Sequence, residues 1–123
     1  TAASPVYRYA FDQTLPLAAD AAPDAEPMAP HAGEIEYVFQ MLEAKSLPWL
    51  PEDHAVSDLM AAYWTNFART GNPNGPGLPE WPAHDPAQGY AVMRFEAGKA
   101  GAAPDAHRAR YEFLDENALG IAP

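Results

Sequence analysis

His31 stands in the run Pro30-His31-Ala32-Gly33, a glycine-containing loop that leads straight into an amphipathic stretch. A general base is well mounted in such a place, because imidazole, with an unperturbed pKa of about 6.5, both accepts and donates a proton near neutral pH. The nucleophile it would serve is missing. None of Ser4, Ser46 and Ser57 has a glycine two residues before and two residues after it, so the Gly-x-Ser-x-Gly elbow is absent. Cysteine is absent altogether, which removes a thiolate nucleophile, a disulfide framework and a thiolate metal site. His54, His84 and His107 have neither metal-ligand spacing nor a shared carboxylate pattern, so surface or structural roles are expected for them. Glu34, at the start of a helical pattern, is expected to cap backbone N–H groups or hydrogen-bond nearby rather than orient His31. Glu36 is expected to face solvent. Two readings stand: His31 is an ordinary loop residue, or the chain contributes one member of a site that other polypeptide completes.

Composition favours the second. Leu, Ile, Val and Phe together make up 20 of the 123 residues, about 16%, and with a net charge of −10 that balance leans towards chains that do not fold alone. Three Trp and six Tyr argue the other way, since disordered chains are poor in aromatics. A well-ordered chain that borrows part of its core from a partner satisfies both facts. Only seven basic residues are present, too few for the Lys/Arg stripe that a phosphate backbone requires, so no nucleic-acid partner is expected. No run of about 18 apolar residues occurs, so no membrane-spanning helix is expected. The first five residues lack the basic and apolar regions of a signal peptide and read as a chain entered mid-fold. Compartment is left open.

The elements that must position His31 follow from periodicity. Residues 5–12 read as a strand, with Tyr7, Tyr9 and Phe11 on one face and Val6, Arg8 and Ala10 on the other. Residues 14–28, rich in Ala and Pro with Asp20, Asp24 and Glu26, form a long surface loop. Ile35, Val38, Phe39 and Leu42 predict a short one-sided helix. A longer helix is expected to start at Ser57 as N-cap, to bury Leu59, Met60, Tyr63, Trp64, Phe67 and Ala68, and to end at Gly71 before Pro73. The Tyr63, Trp64 and Phe67 cluster is expected to be core packing. Residues 72–86 form a rigid loop anchored by Trp81, and residues 90–95 a second strand. Residues 98–103 read as small and flexible, and residues 104–117 as a last helix with Tyr111, Leu114 and Ala118 on one side. Two strands so isolated are expected to find their neighbours elsewhere.

At this point the motifs resemble a known family. His31 with Glu34-Ile35-Glu36-Tyr37-Val38-Phe39 resembles the His-Gly-x-Glu-Ile-x-Tyr-Val-Phe signature of type-B carboxylesterases, the group of para-nitrobenzyl esterases and cholinesterases. Val6-Tyr7-Arg8-Tyr9-Ala10-Phe11-Asp12 is similar to its late core strand, and Val92-Met93-Arg94-Phe95 to its last strand. Tyr63-Trp64-Thr65-Asn66-Phe67-Ala68-Arg69-Thr70-Gly71-Asn72-Pro73-Asn74, then Leu78-Pro79-Glu80-Trp81-Pro82, resemble its downstream helix and loop. Four collinear matches cover nearly the whole chain. Two departures stand out: the glycine usually next to the histidine comes one position later, after Ala32, so the loop backbone is expected to differ slightly. Where cholinesterases carry an aromatic residue, this chain has Gly33, which argues against a choline-type substrate.

The resemblance implies an α/β class, with residues 1–123 forming the C-terminal part of one α/β-hydrolase domain, incomplete on its own and without an internal boundary. It implies that His31 is the triad histidine of a serine carboxylesterase working through an acyl-serine intermediate on a small-molecule ester. The serine and the acid would come from the remaining N-terminal portion as obligate partner, with no cofactor and no metal. The isolated segment is then expected to be molten or to aggregate. The rival reading is a non-catalytic cholinesterase-like adhesion module with a degenerate triad.

Overall fold

A computed structural model describes residues 4–85, 87 and 89–117. In chain order the elements are β1 (Tyr9–Phe11), α1 (Ile35–Val38), a 3-10 turn (Leu42–Ala44), α2 (Pro51–Thr70), β2 (Ala91–Glu96), β3 (Lys99–Pro104) and α3 (Arg108–Glu116). The two expected strands pair with each other. β1 lies parallel to β2 in the register Tyr9↔Met93 and Phe11↔Phe95. A parallel pair needs a long crossover, and here the crossover holds the 14–30 loop, α1 and α2.

β3 corrects the expectation of a flexible 98–103 segment. It runs antiparallel to β2, and Glu96 faces Lys99 across a two-residue turn. Ala97 and Gly98 both have positive φ, 47° and 76°, as a type I′ hairpin demands. Its Ala- and Gly-rich side chains carry no strand signal, because pairing with β2 rather than propensity makes it a strand.

α2 is the expected long helix with an earlier start. Pro51 occupies the first helical position, where a missing N–H costs nothing. Ser57, expected as N-cap, is therefore two turns inside the helix and buried. The end is as expected: Gly71 adopts φ 74° and donates its N–H to the Phe67 carbonyl. Val56, Met60 and Tyr63 of α2 are fully buried against Met93 and Phe95 of β2. Trp81 joins them, with Tyr63 edge-on at 5.3 Å and its indole Nε1 donating to the Arg8 carbonyl at 3.1 Å. Asn74 holds the Trp81 backbone from both sides, accepting its N–H at 2.7 Å and donating to its carbonyl at 2.9 Å. The rigid, indole-anchored loop is as read from the sequence.

α1 is shorter than expected and turned differently. It buries Tyr37 completely, whereas Ile35 and Phe39 are 50% and 67% exposed. Glu36 does not face solvent: Lys45 pairs with it at 2.8 Å and holds its carboxyl below the ordinary range. α3 begins at Arg108, and Tyr111 and Leu114 are about half exposed; Ala118 lies outside the described residues.

The turn carrying His31 joins directly onto α1. Gly33 donates to the Pro30 carbonyl at 3.0 Å and Ile35 to that of Ala32 at 3.4 Å. Ala32 is left-handed at φ 59°, a conformation that costs a β-carbon-bearing residue roughly 1–2 kcal/mol. Gly33 is buried so tightly that a Cβ there would lie 3.0 Å from both Cδ and O of Pro30.

Opposite effects at two adjacent positions are therefore expected. Ala32→Gly should raise stability by up to about 1 kcal/mol, since relief of strain exceeds the added freedom of the unfolded chain. Gly33→Ala should lower it by about 1–3 kcal/mol through overpacking; urea midpoints of the complete protein compare the two.

A pH dependence follows from β3's end. Arg8 and Asp105 pair at 2.6 Å, and Asp105 also accepts the His107 N–H at 2.9 Å. The His107 N–H first, and then Arg8, hold the Asp105 carboxyl below its ordinary value against the opposing effect of burial. A depressed folded pKa gives stability that is present above the unfolded value, about 3.9, and lost as pH falls through the folded one. Arg8→Met should flatten this acid limb, read as a smaller loss of the complete protein's urea midpoint between about pH 6 and pH 3.

Candidate active site

His31 sits at the first position of the tight turn 31–34, exposed, with its ring making no hydrogen bond among the described residues. The loop that delivers it leaves the carboxyl end of β1, the end at which α/β sheets place their sites. It is closed at its base by a Leu15 N–H to Met28 carbonyl bond of 2.9 Å and braced by two turns, Ala21 to Ala18 and Ala25 to Ala22. Asp20, Asp24 and Glu26 are exposed along it, a solvated acidic edge as expected.

Glu34 makes no side-chain cap on α1; its Oε1 accepts from the Tyr9 hydroxyl at 3.4 Å, the hydrogen-bonding alternative. Burial, and then the Glu34 charge, raise the Tyr9 hydroxyl above its ordinary pKa. Ser57 is no nucleophile, since its Oγ is buried and donates to the Tyr37 carbonyl at 2.8 Å. His54 and His107 are exposed; His84 is half-buried, edge-on to Tyr90 at 5.5 Å, its buried Nδ1 making no hydrogen bond among the described residues. Among the described residues no group of three or more His, Asp or Glu is arranged to hold a metal ion.

The aromatic cluster of α2 divides. Tyr63 is core, but Phe67 is 49% exposed and, with Val6, Tyr7, Trp64 and Trp81, walls an apolar cleft of about 390 Å³. His31 is not among the residues lining that cleft.

A group that periodicity could not reveal joins the two ends of the loop that carries His31. Asp53, 1% exposed, accepts from the Tyr37 hydroxyl at 2.7 Å, from Gln13 Nε2 at 2.9 Å and from the Leu50 N–H at 2.9 Å. Burial and then the Asp53 carboxylate push the Tyr37 hydroxyl far above its ordinary pKa, so it stays a proton donor. The one local signal was an acid at the third helical position after Pro51, half of a capping pattern. Its other partners lie 16 and 40 residues away.

A profile described as the carboxylesterase family matches residues 1–114. Human (Homo sapiens) cocaine esterase is 34% identical over 109 residues, which cover 88% of this chain and 19% of that protein. Carboxylesterase 1E of Mus musculus is 37% identical over 91 residues, 72% of this chain and 16% of that one. Among solved structures, a Geobacillus stearothermophilus carboxylesterase superposes with a TM-score of 0.63 at 32% identity over 87% of this chain and 21% of its own. A thermophilic para-nitrobenzyl esterase gives 0.71 at 23% identity over 89% and 22%. The chain thus spans about a fifth of the length of the relatives it matches. Its sheet and helices are part of an α/β-hydrolase fold, and the chain belongs to the carboxylesterase family.

Proposed function

We propose that His31 is the proton-shuttling histidine of a serine carboxylic-ester hydrolase, with the serine and the acid supplied by polypeptide outside these 123 residues. The observation that carries the reading is the placement of an exposed imidazole on a hydrogen-bonded turn beyond the carboxyl end of β1, in a chain of this family. As the serine oxygen bonds to the ester carbonyl carbon, His31 takes the hydroxyl proton. When the carbonyl re-forms and the C–O bond to the alcohol breaks, the imidazolium gives that proton to the departing alkoxide. Water then repeats the cycle on the acyl-serine, releasing the carboxylic acid. Ester hydrolysis is also what the names of the matched carboxylesterases describe, and it supports a small-molecule ester as substrate.

The surface supports a partner portion of the same hydrolase. Among the described residues β1 is paired on one side only, by β2. An open edge is a template for another strand. Around the His31 loop, Met28, Ile35, Phe39 and Met41 are each at least half exposed, apolar area suited to packing against that portion. Residues 1–123 then form one segment of a single hydrolase domain.

Turnover of a p-nitrophenyl ester by the complete protein tests the histidine. His31→Ala should lower kcat by about 10³-fold or more; a loss under about tenfold would remove His31 from the chemistry, whereas a complete protein that turns over no ester before any substitution would favour the binding module. The isolated 123-residue segment should show no cooperative near-ultraviolet melting transition, and a sharp one would count against the borrowed core.

A further inference from the structure

Both feet of the His31 loop rest on one carboxylate. Gln13 lies just past β1, where the chain enters the loop, and Tyr37 lies in α1, six residues after His31. Gln13 Nε2 and the Tyr37 hydroxyl donate to the same atom, Asp53 Oδ1, at 2.9 and 2.7 Å. Oδ2 of Asp53 takes the Leu50 N–H at 2.9 Å, which locks the carboxylate to the N-terminal turn of α2. Gln13 reaches further, accepting the Gly98 N–H of the β2–β3 turn at 3.4 Å. Ser57, one turn along α2, holds the Tyr37 carbonyl at 2.8 Å. Gln13, Tyr37, Asp53 and Ser57 are all buried.

Packing alone does not require this group. A buried carboxylate is costly to desolvate, and apolar residues of similar volume often serve stability as well or better. Here no cation pairs with Asp53 among the described residues; three donors and the positive end of a 20-residue helix stabilise it instead. What a directional hub adds over hydrocarbon is a fixed position. The need is evident in α1, which has four residues and too few internal bonds to hold its own orientation. The turn bearing His31 is hydrogen-bonded onto that helix, so where Tyr37 is held determines where the imidazole stands.

We propose that Asp53, acting through Tyr37 and Gln13, is a positioning residue for His31, fixing both ends of the loop that presents the imidazole to the serine. The proposal rests on the proton-shuttle reading of His31. A displacement of about 1 Å at a reacting group can cost about 10²-fold in rate.

The test uses the complete protein, a p-nitrophenyl ester and thermal melting of each variant. Tyr37→Phe removes one hydroxyl and keeps the ring. Asp53→Asn replaces an acceptor oxygen by a donor. Each should lower kcat by about tenfold or more with KM within about twofold, and the double variant should lose little more than the worse single one, as expected of residues acting as a unit. Asn66→Ala, which frees the Pro73 carbonyl at the far end of α2, should lower Tm and leave kcat unchanged. If His31→Ala is inactive while Tyr37→Phe and Asp53→Asn keep kcat within about twofold, the positioning role is overturned and the shuttle reading stands. If His31→Ala remains active, both fall. Should Asp53→Asn fail to fold, Tyr37→Phe decides alone.

Discussion

A buried carboxylate, with no cation paired to it among the described residues, organises much of this chain. Asp53 meets its need for donors with a tyrosine, a glutamine and a backbone amide drawn from three separate stretches of sequence. Each bond is of the charge-assisted kind, stronger than a neutral one, and in a dry environment each is expensive to break. The consequence is mechanical. The end of β1, the helix after the His31 turn, the start of α2 and the β2–β3 turn cannot shift independently. A surface ion pair could not do this, because water and salt would screen it and its long side chains would remain free.

Around this polar hub the packing is aromatic to an unusual degree. Trp81, Tyr63, Trp64, Phe95, Tyr7 and Tyr9 meet edge-on or tilted, with centroids 5.0 to 6.3 Å apart. A chain poor in aliphatic residues gains from this. Each ring buries a large area with few rotatable bonds, and edge-to-face contacts add to the area term. Polar tips are satisfied as well: the Trp81 indole donates to β1, and the Tyr63 hydroxyl donates to the Pro79 carbonyl. The long loop after α2 is thereby fastened to the sheet rather than left to solvent.

Part of the apolar surface left exposed lies around the His31 loop. Met28, Ile35, Phe39 and Met41 belong to it, and among the described residues β1 has one unpaired edge. In a chain spanning about a fifth of its relatives' length, those features fit a surface shaped by the rest of a hydrolase. The proposed chemistry has the same division. In that proposal this chain supplies the histidine and its turn, and polypeptide outside it supplies the serine and the acid.

Much of the local structure was legible in the sequence. Helical spacing from Leu59 to Phe67, with Gly71 and Pro73 after it, defines the end of α2, because a glycine accepts the left-handed cap and proline cannot continue the helix. Alternation in residues 5–12 separates the aromatic face of β1 from Arg8. The start of α2 was misread because Ser57 is a good cap by type, but Pro51 pre-sets the helical backbone two turns earlier. β3 was missed because alanine and glycine have no pattern of their own, and only β2 makes them a strand. By itself, then, the sequence determined which residues could cap, alternate or carry a proton, since those are properties of single side chains and near neighbours. Only the tertiary structure decided that Gln13 and Tyr37, on either side of His31 in the chain, converge on Asp53, because hydrogen bonds between residues 16 and 40 positions apart leave no periodic trace along a chain.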